Sequence, residues 1–308
     1  MRVGLLLAFL VPAHALQLPL ARLDTLVHRH HTPRPLLVSR PHVAGRTSCV
    51  AANSIPESET APAVANAITA ALVAIWYASS VICNQTTKDL LSLGIGGAAE
   101  LTLLQLMIGA CCGLLVWLGT RAPWDTHAIR SRAQLFDTAL AAASITAGFG
   151  TLNACMGVMH VSLVMVLRAA EPLTTLLLSN LLLPSSEHAS PQQAVALLPV
   201  VLGCMLAAVG KGGPSVAGLA LATVSNVCFS LRGIVGKRVA RTHRTKPFPL
   251  FFQMCWLDAL MQCAVVLAGV AGGAPLPALP PLQIAPTLLL NGVSFYAYLQ
   301  LSQVPNGL

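Results

Sequence analysis

Apolar residues run in blocks from residue 63 onward, separated by short polar or glycine-rich gaps. A bilayer core is crossed by roughly 20 residues of helix, so each block predicts a membrane span. The blocks are 63–83, 100–119, 135–158, 159–183, 193–210, 215–236, 249–272 and 284–302. The third and fourth abut, which predicts a tight turn around Met159 and His160. Gly, Ala and Ser recur inside the blocks, which suits close approach of helices. The first 62 residues follow other patterns. Residues 1–15 carry Arg2, an apolar run and Ala13-His14-Ala15, the pattern of a signal peptide and too short to span with flanks. Residues 16–54 are rich in Arg, His, Pro, Ser and Thr and nearly free of acid, a transit-peptide composition, and 55–62 read as a polar linker. The two signals in series predict a plastid membrane reached through the endoplasmic reticulum, as in a complex plastid. An ordinary secretory leader with a disordered tail is the plainer alternative.

Composition turns these blocks into a fold class. The chain is 55% hydrophobic and 9% charged, whereas soluble domains run near 25% charged. The expected fold is all-α, a multi-spanning helix bundle surrounded by membrane lipid. The +8 formal charge does not imply nucleic acid. Much of it lies in the first fifty residues, and the rest falls in loops. Arg121, Arg130 and Arg132, then Lys237, Arg238, Arg241, Arg244 and Lys246, share one side, while the opposite loops carry little beyond Lys88 and Lys211. That asymmetry places the start of the first span on the cytosol-like or stroma-like face and makes 237–246 a topology determinant. The nine cysteines form no C-x-x-C pair and have no His at ligand spacing, so they read as packing residues and no metal or cofactor is expected. Asp125 and His127 come nearest to an acid–base pair, in a loop read as solvated; an enzyme is not expected.

Polar residues inside the blocks carry the candidate chemistry. Arg168 and Glu171 lie near the middle of the fourth block, beside Pro172. A charge at that depth costs at least about 2.5–3.5 kcal/mol and persists when paired or useful. Two readings follow: Arg168 holds an anionic solute, or Arg168 and Glu171, three apart on one helical face, neutralise each other and fix packing. Lys88 ends the first span with a gating or pairing role, or snorkels to the interface. Arg232, little more than one turn before Lys237 on the sixth span, is a gate or cavity residue, or an interface anchor. Glu100 reads as a cap and His160 as an interfacial residue, while Asp258 has no evident partner. Trp76–Lys88 and Val227–Arg238 both close an apolar helix with a polar residue and then Lys, and 148–158 and 292–302 share a Gly-aromatic opening. Matching spans an odd number apart run in opposite directions, the signature of an inverted-repeat transporter with its site at mid-membrane. The first repeat covers 63–210 and the second, incomplete, 211–308.

Four stretches carry a resemblance: Trp76-Tyr77 with Asn84 and Lys88; Asn153 through Glu171-Pro172; Pro199-Val200-Val201 with Gly203; and Ser225-Asn226 with Phe229, Arg232 and Lys237-Arg238. Together they resemble the plastid phosphate translocators, the triose-phosphate translocator type, within the drug/metabolite transporter superfamily. The resemblance implies ten helices in two inverted five-helix halves, of which about eight are present. It implies an antiporter that exchanges inorganic phosphate for phosphorylated sugars or three-carbon organic phosphates by alternating access. A nucleotide-sugar transporter of the secretory pathway is the alternative. Carried over by position, Arg168 takes the place of a substrate-binding Lys, Tyr298 matches a substrate Tyr, and Phe229 lines the cavity. Lys88, Glu171, Arg232 and Lys237 are the gating or pairing residues. Phe149 and Leu152 stand where the triose-phosphate branch commonly has His and a hydroxyl residue, and Leu299 stands where it has Asn. Similarity stops after Ser302, where two helices bearing a Lys-Arg pair are expected. As written, the chain is expected to hold half of the anion site, as a truncated or misjoined gene product would.

Overall fold

The structure is a computed structural model in which residues 60–94, 96–120, 123, 127–184, 215–277 and 280–302 are described, with isolated positions between 192 and 206. The leader segments and the fifth expected span lie wholly or largely outside those residues. Among the described residues, eight α-helices and one 3-10 turn have continuous bounds, and there is no strand. They are α1 (Thr60–Ser92), α2 (Ala98–Thr120), α3 (Arg132–Val158), α4 (Val161–Arg168), α5 (Glu171–Leu182), α6 (Val216–Thr242), α7 (Pro247–Ala271) and α8 (Ala285–Leu301). Among the described residues, five stretches are long and apolar enough to cross a membrane: α2, α3, α4 with α5, α6 and α7.

The helix ends follow local chemistry. Glu100 Oε2 accepts from the Gly97 N–H at 2.7 Å, the cap expected of it. Ser131 and Ser215 cap α3 and α6 by accepting from the N–H groups of Gln134 and Gly218, each at 3.0 Å. Proline opens α7, where its missing N–H has no intrahelical partner to lose. The first expected span is longer than its apolar block: α1 carries on through Lys88 to Ser92. The turn between the third and fourth spans falls where expected, with Met159 extended and α4 starting at Val161.

The fourth span departs from expectation by being two helices. Pro172 has no N–H to give the Arg168 carbonyl, and its ring crowds that same carbonyl. The chain answers with a short tightened turn. The Ala169 N–H is shared between the carbonyls of Met165 and Val166, both at 3.1 Å, and the Ala170 N–H reaches Leu167 at 3.2 Å. Arg168 thus ends α4 and Glu171 begins α5.

Helix α3 is the hub. It packs along α6 and against α7 and α2, while α8 rests on α1 and α2, and α4 and α5 lean on α6. Small residues let α3 and α6 approach closely: a Cβ on Gly218 would collide with the Met159 side chain. Dispersion alone favours no partner in lipid, and a buried polar network adds specificity. Gln105 of α2 donates to Thr87 of α1 at 2.9 Å and to Asn291 of α8 at 2.8 Å. Asn153 of α3 donates to Thr102 and to the Gln105 carbonyl, both at 2.8 Å. Asn291 donates to Thr86 and Thr87 at 2.8 and 2.9 Å. Four helices are thereby tied by amides fully removed from solvent.

Candidate anion-binding site

The break in the fourth span puts Arg168 and Glu171 at facing helix ends. The Arg168 Nη2 donates to Glu171 Oε2 at 3.2 Å. Glu171 sits in the first turn of α5, where a negative charge suits the helix dipole. The guanidinium also lies over the Phe229 ring, 4.5 Å from Cζ to the ring centre. A cation on an aromatic face gains about 2 kcal/mol when desolvated, and it does so without using an N–H. Most of the guanidinium's donors therefore remain for something else. The two charged side chains keep 19% and 33% of their surface exposed, so the pair is not sealed in a core.

Tyr298 and Arg232 complete the group. Tyr298 of α8 interacts through its side chain with Arg168. Arg232 of α6 feels Tyr298, Glu171 and Arg168 electrostatically, and its Nη2 donates to Ser302 Oγ at 3.0 Å. The structure therefore brings Arg168, Glu171, Phe229, Arg232 and Tyr298 together from four helices. Two other expected residues stand apart. Lys88 donates to the carbonyls of Met156 and Met159 at 2.6 and 3.3 Å, neutralising the C-terminal end of α3. Lys237 is exposed on α6.

Aromatic residues form the wall behind the arginines. The Phe149 ring packs edge-on against Phe229, Phe295 and Tyr298, with centroids 4.8, 4.6 and 6.2 Å away. Phe229 can sit there because position 148 is glycine; a Cβ would come within 3.1 Å of the ring. The Ser225 hydroxyl donates to the Gly148 carbonyl at 2.9 Å, which fixes the register of α6 on α3. The α5 end is held by hydroxyls: Thr174 and Thr175 both meet Ser230, at 2.7 and 2.8 Å.

Sequence reasoning missed Phe295 and the amide network. The Gly-aromatic openings of the third and eighth spans had marked a repeat, and in the structure Phe149 and Phe295 of those openings touch. Amide side chains inside apolar blocks, Gln105 in the second, Asn153 in the third and Asn291 in the eighth, were the signal for the network. His127 was expected in a solvated loop and is instead buried, ringed by Trp117, Phe248 and Phe252 at 6.3, 5.5 and 5.3 Å. Gln253 donates to its carbonyl at 3.0 Å, anchoring that loop to α7. Among the described residues no three His, Cys, Asp or Glu side chains are placed to hold a metal ion.

Known proteins resemble this arrangement in sequence and shape. A chloroplast xylulose 5-phosphate/phosphate translocator of Arabidopsis thaliana is 30% identical over 166 residues, 53% of this chain and 38% of that protein. The phosphoenolpyruvate/phosphate translocator 1 of Oryza sativa subsp. japonica is 28% identical over 174 residues, 55% of this chain and 40% of that protein. The glucose-6-phosphate/phosphate translocator 2 of Arabidopsis thaliana is 26% identical over 54% of this chain and 41% of its own. The chain therefore spans less than half the length of these relatives. A protein of known crystal structure superposes with a TM-score of 0.53 at 15% identity, covering 76% of this chain and 79% of that one, and it shares the fold. The sequence profile of the Triose-phosphate Transporter family matches residues 67–304, so the chain belongs to that family, whose members are transporters and not enzymes.

Proposed function

We propose that this protein is an antiporter that exchanges inorganic phosphate for phosphorylated sugars or three-carbon organic phosphates across a plastid membrane. The observation that carries the proposal is the pairing of Arg168 and Arg232, from different helices, around Tyr298 and Glu171. A phosphate dianion taken out of water needs about two compensating charges and several donors. Two guanidiniums and one phenol offer that set, and guanidinium stays charged at any working pH. Phe229 and Phe149 exclude water on one side, which strengthens each contact. Glu171 occupies Arg168 in the absence of solute and gives way when the anion docks.

Several observations support the transport cycle. The fourth span is broken at the charges, the arrangement in which half-helix ends face a solute at mid-membrane. Lys88 holds the α3 end through carbonyls 68 and 71 residues away in sequence, a contact that a moving α1 would have to break. The named relatives are plastid translocators of phosphate with pentose, hexose and three-carbon phosphates. On this reading the two inverted halves, 63–210 and 211–308, rock about the site, and residues 1–54 address the protein to a complex plastid. The test is uptake of labelled phosphate by liposomes containing the full-length protein. Uptake is expected only when the liposomes are preloaded with phosphate or an organic phosphate. Exchange of a nucleotide sugar with no phosphate exchange would overturn the proposal.

A further inference from the structure

The rings behind Arg168 form one connected group. Phe229 of α6 carries the guanidinium on its face, 4.5 Å from the ring centre. Phe149 of α3 meets Phe229 edge-on at 4.8 Å, and meets Phe295 and Tyr298 of α8 at 4.6 and 6.2 Å. Phe295 and Tyr298 stand 6.0 Å apart, nearly at right angles. All four side chains belong to the buried core. A stacked guanidinium points its N–H groups outward in its own plane, along the ring beneath it. An anion on those N–H groups lies beside the aromatic group, and the first carbons of a phosphate ester follow it there.

A hydroxyl on those carbons would need a partner, and the polar side chains near the rings are already committed. Ser225 donates to the Gly148 carbonyl at 2.9 Å. Ser230 meets Thr174 and Thr175. Ser294 donates to the carbonyls of Leu290 and Asn291 at 2.7 and 2.9 Å. Asn226 donates to the Leu167 carbonyl at 2.9 Å, and its oxygen, without a partner among the described residues, is sealed from solvent. The Tyr298 side chain interacts with Arg168. A hydroxyl pressed against the rings gives up water and gains no acceptor, whereas a methylene loses nothing.

We infer that the site selects phosphate esters whose carbon part carries no hydroxyl, and that Phe149 is the residue that refuses hydroxylated ones. The inference rests on the anion-site reading above and narrows its substrate class. Phe149 holds this role because it touches both Phe229 and Tyr298, the two rings associated with Arg168.

The experiment uses liposomes that contain the full-length protein and are preloaded with phosphate. Propyl phosphate and glycerol 3-phosphate each compete against uptake of labelled phosphate. The two share the phosphate and a three-carbon chain and differ by two hydroxyls. Propyl phosphate is expected to inhibit at a concentration roughly ten- to a hundredfold lower. Phe149→His keeps a flat ring and adds a nitrogen that accepts from a hydroxyl, so it is expected to shrink that ratio to about threefold or less. General damage to the site weakens both competitors alike and leaves the ratio where it was. An unchanged ratio in Phe149→His therefore overturns the role of Phe149. Should that variant fail to fold, the wild-type comparison decides: inhibition by glycerol 3-phosphate as strong as by propyl phosphate overturns the inference. Wild-type protein that exchanges no phosphate for phosphate would sink the antiport reading instead, and that is seen before any competitor is added.

Discussion

Of the apolar stretch that crosses the membrane, 61% is buried in α3 and 11% in α4 with α5. These are consecutive spans joined by two residues, Met159 and His160. Past Asp137, α3 has no charge and spends two of its polar side chains on other helices: Asn153 on α2, Thr146 on α7. The α4–α5 pair buries no α5 residue, is interrupted at Ala169–Ala170, and carries the Arg168–Glu171 pair. On the proposed function, the difference separates two jobs. A helix that holds the bundle is packed on most sides and left unbroken. A helix that must offer charge to a solute is packed on one side and broken where the charge sits, so that side chains can be approached.

The sharpest way to break that comparison is to remove the charge from the loosely packed helix. Arg168→Gln keeps length and polarity and deletes the cation. Loss of a charge-assisted contact worth about 2–3 kcal/mol lowers phosphate exchange in liposomes roughly a hundredfold. Arg168→Lys retains charge without the fork and keeps about a tenth of the activity. Thermal stability changes little in either variant, because the side chain is partly exposed and Glu171 remains solvated. Unchanged flux in Arg168→Gln with a large loss of stability would invert the assignment and make the ion pair scaffolding.

The reciprocal change is Asn153→Leu in α3. It strands the Gln105 carbonyl oxygen, one of the fully buried groups of the network. An unsatisfied buried acceptor and the lost bonds together cost about 2–4 kcal/mol, read as a lower midpoint in detergent unfolding. Thr175→Ala on α5 removes a half-buried hydroxyl that meets Ser230 at 2.8 Å, and costs about 0.5–1 kcal/mol. Equal losses in the two variants would show that α3 and α5 share the load.

The span positions among the described residues, the tight turn at Met159–His160 and the charged pair inside the fourth span were legible because a bilayer imposes length and penalises charge, both visible in one dimension. Pro172 was visible too, yet the fourth block still read as one span, since apolarity on both sides of a proline outweighs the break in any count of hydrophobic residues. Arg232 was open between cavity and anchor. Its place depends on the rotation of α6 about its axis, and that rotation is fixed by Gly148 accepting Phe229 and Ser225, contacts between residues 77 or more apart in sequence. Asn291 and Gln105 lie 186 residues apart and could not be paired from composition. His127 misled because a histidine between Asp125 and Arg130 looks solvated; Trp117 of α2 with Phe248 and Phe252 of α7 encloses it from two other segments.

A smaller substitution couples the scaffold to the site. Gly148→Ala adds a methyl to α3 that must displace the Phe229 ring lying under Arg168. Overpacking of this kind costs about 1–2 kcal/mol. Anion affinity falls a few-fold as well, because the ring carries the guanidinium with it. Phe229→Leu in the Gly148→Ala background relieves the clash and restores the midpoint, while affinity stays low for want of the aromatic face. Recovery of both together would mean that Phe229 acts through packing alone.

The smallest effect lies outside the membrane, in the loop that leads into α3. Burial against Trp117, Phe248 and Phe252 disfavours the imidazolium of His127 and lowers its pKa from the ordinary value. The folded protein then binds fewer protons than the unfolded chain as pH falls below the usual histidine range, so stability rises with pH there. The contribution is fully present above the unfolded pKa of about 6.5 and is lost as pH drops through the lower folded value. Thermal midpoints measured from pH 7.5 downward fall accordingly, and His127→Phe, which keeps a ring in the pocket without a titrating nitrogen, flattens that part of the curve. Arg168→Gln, on the unburied helix, leaves the same slope intact. If the slope instead vanished with Arg168 and survived in His127→Phe, the pH-sensitive packing would belong to the broken span and the contrast between the two helices would have to be redrawn.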